Sequence, residues 1–364
     1  MARGAVIQTK VGDKLRRIRI KAGRTLEVMG NIMYCGASTI RYYESGNGLT
    51  PEVLDRFKKA LEIEGTPLTD EELAAFRKAL YELMNLIKAG DMAMAKELRP
   101  KMEIGARWCL EPEVELLFDL MDLPYIYLTE GEEAFKARLL TLSKREHEFT
   151  KEHYFWYHRH KGTAEYFELR YPSSYDSYVK AISLTKGLGD RLDLGDFSLP
   201  YNPGLCLTHM GYPYQALEYL DEALESAVKR NYANETSQIQ SIRRHMAICN
   251  SMLGQEDKAF AQLHECLRKE KSNSGNYGAI YCDIGMVHHN AGNPEKAVES
   301  FKEAAKHTRK EGEIWLYLLC REATSLLALK MFDKVMERVN EGLPMVEKKE
   351  IYHFWLKALE HATK

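Results

Sequence analysis

No stretch of this 364-residue chain holds the ~18 consecutive apolar residues that a membrane-spanning helix needs, and Met1 to Gly12 is too short and too polar for a secretory signal. Cysteine is sparse: Cys35, Cys109, Cys206, Cys249, Cys266, Cys282 and Cys320 are odd in number, scattered, and never form a C-x-x-C pair. That argues against a disulfide framework or a zinc site and for reduced thiols in a cytoplasmic protein. The sequence has no Walker loop, no G-x-G-x-x-G after a strand and no G-x-S-x-G elbow. His147, His153, His158 and His160 sit among Tyr154, Phe155, Trp156 and Tyr157, but no pair has H-E-x-x-H spacing. This stretch reads as a helix with one packed face rather than a metal site. The expectation is a chain with no catalytic residue, no metal and no cofactor, and therefore not an enzyme.

Net charge is also small, −2 overall, but it is unevenly spread. Residues 1–66 carry 12 Lys and Arg against 7 Asp and Glu, and the remainder carries 39 against 46. A basic head on an acidic body suits a polyanion at the head.

The head has a readable helical pattern. Lys10 to Lys21 is amphipathic, with Val11, Leu15 and Ile18 inward and Lys14, Arg16, Arg17 and Lys21 outward. Thr25 can cap a second helix whose Val28, Met29, Ile32 and Met33 face a core, with Gly30 small where helices approach. Tyr34-Cys35-Gly36 turns the chain into a short third helix, Ala37 to Glu44, that buries Ile40 and Tyr43. Thr50-Pro51 starts a fourth helix with Val53, Leu54, Phe57 and Leu61 inward.

This segment resembles the lambda-repressor-like (XRE, Cro/C1-type) helix-turn-helix family over Gly12 to Leu61. Tyr34 stands where that family places a turn glycine, and Leu26 where it often has glutamine. The resemblance implies a structural pair between Arg19 and Glu44 and a third helix lying in the major groove. Ala37, Ser38, Arg41 and Tyr42 would then face DNA, with Thr39 near a phosphate. Of these only Arg41 can pair bidentately with guanine. Arg16, Arg17 and Arg24 would contact phosphates without regard to sequence.

After Gly65-Thr66-Pro67, a linker, Thr69-x-x-Glu72 forms a capping box, and helix follows helix to the C-terminus. Tyr281-x-x-Ile284-Gly285-x-x-His288, then Gly292, Ala297, Phe301 and Ala304, resembles the tetratricopeptide pattern. Gly285 and Ala297 are small where the two helices of a hairpin cross, and Phe301 fills the joint with the next unit. Looser copies place equivalent residues at Ala216, Ala259 and Val335, so the spacings are 43, 38 and 38 residues. Gly90 with Ala95 suggests that the array begins early. The expected fold is all-α: a helix-turn-helix domain over 1–64, a linker over 65–69, and a right-handed superhelix of tetratricopeptide-like hairpins over 70–364.

In peptide-binding tetratricopeptide proteins four positions of each first helix point into a concave groove. Carried onto this chain they are Ser241, Arg244, His245 and Ile248; then Ala279, Cys282, Asp283 and Met286; then Tyr317, Cys320, Arg321 and Thr324. Arg244 and Arg321 are available for a carboxylate or backbone carbonyls.

A helix-turn-helix head on a tetratricopeptide-like body resembles the peptide-responsive regulators of low-GC Gram-positive bacteria, the Rgg/PlcR/NprR/PrgX/Rap (RRNPP) group. The resemblance implies a cytoplasmic homodimer that binds operator DNA and a short signalling peptide, and no membrane. The alternative is a body that sequesters a protein partner or acts as a Rap-like response-regulator phosphatase, with a vestigial head.

Overall fold

The computed structural model describes residues 2–62, 70–108, 112–188, 198–229, 237–270, 275–346 and 350–364. Every regular element among them is helical. They fall into two compact units, Met1–His160 and Lys161–Lys364. The linker 65–69, Thr69 of the capping box and Cys109 lie outside the described residues.

The head occupies the start of the first unit as α1 (Ala2–Lys21), α2 (Leu26–Ile32), α3 (Ala37–Glu44) and α4 (Pro51–Leu61). α1 begins before the expected Lys10 because no proline interrupts Ala2 to Thr9. The Thr25 and Thr50 hydroxyls accept hydrogen bonds from the Val28 and Val53 amides, capping α2 and α4. Leu15, Met29, Met33, Ile40, Phe57 and Leu61 form the core. Val28 and Ile32, expected inside, stand exposed, because the short α2 turns only Leu26, Met29, Gly30 and Met33 inward. α1 meets α3 at Gly12, where an added Cβ would lie 2.6 Å from the Glu44 carbonyl oxygen. Gly30 is needed for a different reason from helix crossing: its Cβ would strike the Cys35 carbonyl in the α2–α3 turn. Tyr34 takes a left-handed φ of 54° in that turn, a conformation that usually selects glycine.

Two contacts lock the head. Arg19 forks onto Glu44, with Nε to Oε1 at 2.5 Å and Nη2 to Oε2 at 3.0 Å, both residues being buried. The Arg19 Nη1 also donates to the Arg24 carbonyl at 2.8 Å. The second contact corrects an expectation. Lys14 is fully buried rather than outward, and its ammonium donates to the Ala106 carbonyl at 3.2 Å. Lys14 of α1 is thus covered by the helices that follow the head, while Arg16 stays exposed.

Those helices are α5 (Asp70–Ala89), α6 (Met92–Trp108), α7 (Pro112–Met121), α8 (Leu123–Glu130) and α9 (Glu132–Ser143), followed by α10 (Lys151–Phe167). α5 and α6 form a hairpin that closes at Gly105, where a Cβ would lie 2.8 Å from the Phe76 ring. The histidines of α10 are spent on packing: His158 stacks on Tyr154, His160 stacks on Trp156, and His153 reaches the Glu113 carbonyl at 2.8 Å.

The second unit holds the last turns of α10, α11 (Tyr171–Thr185) and four regular hairpins. These are α12 (Ser198–His209) with α13 (Pro213–Lys229), α14 (Ser237–Met252) with α15 (Glu256–Lys269), α16 (Gly275–Asn290) with α17 (Pro294–Lys306), and α18 (Gly312–Ala328) with α19 (Phe332–Gly342). α20 (Glu350–Ala362) covers the end. Each hairpin turns on a residue with positive φ and buries a small side chain five residues later. The pairs are Gly211 with Ala216, Gly254 with Ala259, Gly292 with Ala297, and Lys330 with Val335. Leu169 with Ser174 repeats the device between α10 and α11, and Gly90 with Ala95 repeats it in the first unit. Gly285 lets the Phe301 ring in so closely that a Cβ there would sit 2.5 Å from it, and Phe301 also packs on Trp315, Leu318 and Leu319 of the next hairpin.

Lys330 is exposed and keeps the left-handed turn with a side chain, at a cost of about 1 kcal/mol. Lys330→Gly should therefore raise unfolding stability by about 0.5–1 kcal/mol in urea titrations, whereas Gly254→Ala, at φ 72°, should lower it by a similar amount. Glu44→Ala strands a buried guanidinium. It should cost the head about 3 kcal/mol, read by hydrogen exchange of the α1 and α3 amides.

Candidate functional site

Two surfaces gather the residues expected to act. On the head, α3 shows Ser38, Arg41 and Tyr42 to solvent on one face, while Ile40 and Glu44 are buried and Ala37 and Thr39 are half-buried. The i, i+3, i+4 spacing puts the three exposed side chains together. The Arg41 guanidinium has no ion-pair or hydrogen-bond partner among the described residues. Arg16, on α1, is exposed. Arg17 and Arg24 are engaged instead: Arg17 Nη1 donates to Glu148 at 2.9 Å, and Arg24 Nη2 to Glu62 at 2.6 Å. Partial burial alone would raise the Glu148 carboxyl, but hydrogen bonds and charge from Arg145, together with Arg17, outweigh it and hold it at about 2. Tyr34, 94% exposed in its strained turn, is a prominent head side chain whose exposure the family pattern did not predict.

The second surface is the inner layer of the Lys161–Lys364 unit. Here α12, α14, α16, α18 and α20 each pack on the next in that series, and the second helices of the hairpins pack mainly on the first helices at either side. The closer spacing of the first helices curves the stack so that they line its inside. Leu169, in the α10–α11 turn, packs on the same apolar cluster as α18 and α20, so the first hairpin of this unit meets the last.

The twelve groove positions expected from the repeat register lie on α14, α16 and α18; Cys320 is buried in the core cluster shared with α20, and most of the others are spent on contacts within the protein. Arg244 Nε donates to Asp283 Oδ2 at 2.5 Å. That pair joins α14 to α16, so Arg244, expected to be available to a ligand, already holds its carboxylate. Burial pushes the Asp283 carboxyl up, against the pull of Arg244. His245 Nδ1 lies 2.7 Å from the Ser241 carbonyl and 3.3 Å from the Tyr201 hydroxyl. Ile248, Cys282 and Met286 are buried in the cluster that contains Phe301 and Trp315, and burial lifts the Cys282 thiol to about 12. Tyr317 donates its hydroxyl to Met286 Sδ at 3.0 Å, and Thr324 Oγ1 accepts from Trp355 Nε1 at 3.2 Å. Arg321 lies against the faces of Tyr317 and Trp355, with its Cζ 4.9 and 5.0 Å from their ring centres.

Repeat spacing could not supply the other half of this lining. Trp355 comes from the terminal helix, outside the repeat pattern. Tyr166, Tyr171 and His209 come from the first hairpin and the end of α12: Tyr171 stacks on His209 at 4.5 Å and 6°, and the Tyr166 hydroxyl meets His209 Nε2 at 2.9 Å. His209 keeps an exposed edge while packing against the Tyr166 and Tyr171 rings. Burial lowers His209 and His245 to about 4, helped by neighbouring positive charge, and lowers His289 in the same direction. The lining is thus neutral imidazole and phenol at physiological pH, with two guanidinium groups and one carboxylate.

No protein-family model and no curated protein matches the chain. Solved structures do match in fold. NprR in complex with its cognate peptide NprX aligns with a TM-score of 0.68 at 17% identity, over 78% of this chain and 82% of that one. A Rap protein complexed with competence and sporulation factor gives 0.66 at 17%, over 79% and 80%. The apo form of the quorum sensor NprR from B. thuringiensis gives 0.62 at 17%, over 79% and 80%. The chain therefore has the all-helical repeat fold of these proteins. No helix among the described residues is long and apolar enough to cross a membrane.

A neutral buried histidine destabilises the fold as its unfolded counterpart takes up a proton. Because the folded pKa of His245 is depressed to about 4 from 6.5, its contribution is lost as pH falls from 6.5 towards 4. His245→Gln, which keeps a hydrogen-bonding side chain, should gain melting temperature relative to wild type across that window and show no relative change above pH 7. Paired thermal melts at constant ionic strength would read the difference.

Proposed function

We propose that this chain is a cytoplasmic transcription regulator of the RRNPP group, binding operator DNA through its helix-turn-helix head and a short signalling peptide in the inner layer of its repeats. The observation that carries the reading is the pairing of two surfaces in one chain. One is an α3 face where Arg41 stands unpartnered among the described residues, and the other is an enclosed layer of neutral rings with charged groups set into it. Likeness to NprR and to a Rap protein, each solved with a peptide, supports the second half. The head supports the first half through its Arg19–Glu44 lock, which holds α1 and α3 in one geometry. On this reading the protein works as a homodimer, with two heads set roughly 34 Å apart, one helical turn, on a near-palindromic site. It performs no catalytic step.

One observation favours a second reading, a body that sequesters a protein partner or acts as a Rap-like phosphatase with a weak head. Two of the three arginines expected on phosphates are held by Glu148 and Glu62. In the first reading the same fact is competition: a phosphate must displace Glu148 to win Arg17.

Selection of duplexes from a randomised DNA pool with the full-length protein, followed by gel shifts, separates the two. The regulator reading expects a near-palindromic consensus. Arg41→Ala should lose roughly tenfold or more on it while changing little on unrelated DNA. Glu148→Gln should tighten binding to all duplexes by about two- to fivefold and steepen the salt dependence. No retention of any duplex at low salt defeats this reading and leaves the sequestering one, for which a response-regulator dephosphorylation assay is the next measurement.

A further inference from the structure

The positive charges facing the inner layer are not equivalent. Arg244 is neutralised by Asp283 across the α14–α16 joint. Glu322, next to Arg321 in sequence, lies against Arg338 of α19. Arg321 has no carboxylate within ion-pair distance among the described residues, and its Nε is buried with no hydrogen-bond acceptor. Its guanidinium lies instead in the corner between two rings set nearly edge-to-face, Tyr317 on its own helix and Trp355 on α20. Ring faces attract a guanidinium, but they supply no carboxylate to it. Contact with both rings narrows the positions open to the side chain, which lowers the entropy cost of holding it for a ligand.

Asp283 feels the charge of Arg321, but it is already bonded to Arg244. His209 and His289 feel the charge of Arg321 and are kept neutral, and Cys282 beside Asp283 stays a thiol. A partly desolvated cation without its counter-ion is unfavourable by itself, and a ligand that supplies the anion recovers that loss on binding.

We propose that Arg321, set in the corner between the Tyr317 and Trp355 rings, is the anchor for a carboxylate of the bound peptide, either its C-terminal group or an acidic side chain. The inference rests on the peptide-binding reading and sharpens it: the ligand must carry an anionic group, and Arg244 takes no direct part in holding it. Trp355 and Tyr317 act as positioning residues that confine the guanidinium to the corner between their rings.

The test uses the full-length protein and a randomised short-peptide pool made in two forms, free acid and C-terminal amide, with retained peptides identified by mass spectrometry. Anchoring by a terminal carboxylate predicts retention from the acid pool at roughly tenfold or more over the amide pool. Anchoring by a side chain predicts equal retention from the two pools, with Asp or Glu enriched at one position. In either case Arg321→Gln should abolish the preference, and Arg321→Lys should restore part of it. Should Arg321→Gln melt far below wild type, the comparison of the two pools on wild type decides alone. Equal retention without acidic enrichment overturns the anchor and leaves peptide binding standing. Retention of nothing from either pool defeats the peptide reading itself, and the anchor with it.

Discussion

The repeat architecture depends on the close crossing of two helices in each hairpin, and that crossing depends on two residues five apart. A left-handed turn residue reverses the chain, and a buried small side chain then lets the second helix lie against the first. Ala216, Ala259, Ala297 and Val335 are all fully buried at this joint, and Gly285 admits the Phe301 ring where no Cβ could fit. Because the device recurs, each hairpin presents its first helix on the same side, which is why residues some 38 apart in sequence come to share one surface. The site is a consequence of the crossing geometry, not a separate construction.

This explains what could be read from the sequence. Small residues and turn glycines are local signals, and they located four hairpins and the register of Ser241 to Thr324 on the inner layer. The head was legible for the same reason, its caps, core spacing and Arg19–Glu44 pair all being encoded within about 50 residues. Leu169 with Ser174 escaped notice because neither residue type announces the joint it occupies, although their spacing is the same. Trp355 escaped because the terminal helix belongs to no repeat.

Partnership was the least legible property. An amphipathic pattern shows that Lys14 lies off the core of its own helix bundle, but it cannot show that α6 will cover that face and bury the ammonium against the Ala106 carbonyl. Arg244 and Arg321 occupy adjacent register positions, the second and the third of the four, in two different repeats, and the sequence offers both to a ligand. They differ in partner because Asp283 on α16 reaches Arg244, whereas the residue that approaches Arg321 from the next helix is Trp355. Charge compensation is settled by the neighbour across the joint, which lies about 30 to 40 residues away in the chain.

The same reasoning applies to the head. Arg17, which the helix-turn-helix resemblance would place on a phosphate, meets Glu148, which Arg145 also holds. Arg145 and Arg138 in turn face Asp119 on α7, so Arg17 is one end of a chain of alternating charges running through α7, α9 and the α9–α10 connection. Withdrawing one cation from such a chain leaves Glu148 to Arg145 alone and shifts the balance around Asp119. Through Arg17 the head is therefore joined electrostatically to the helices that follow it.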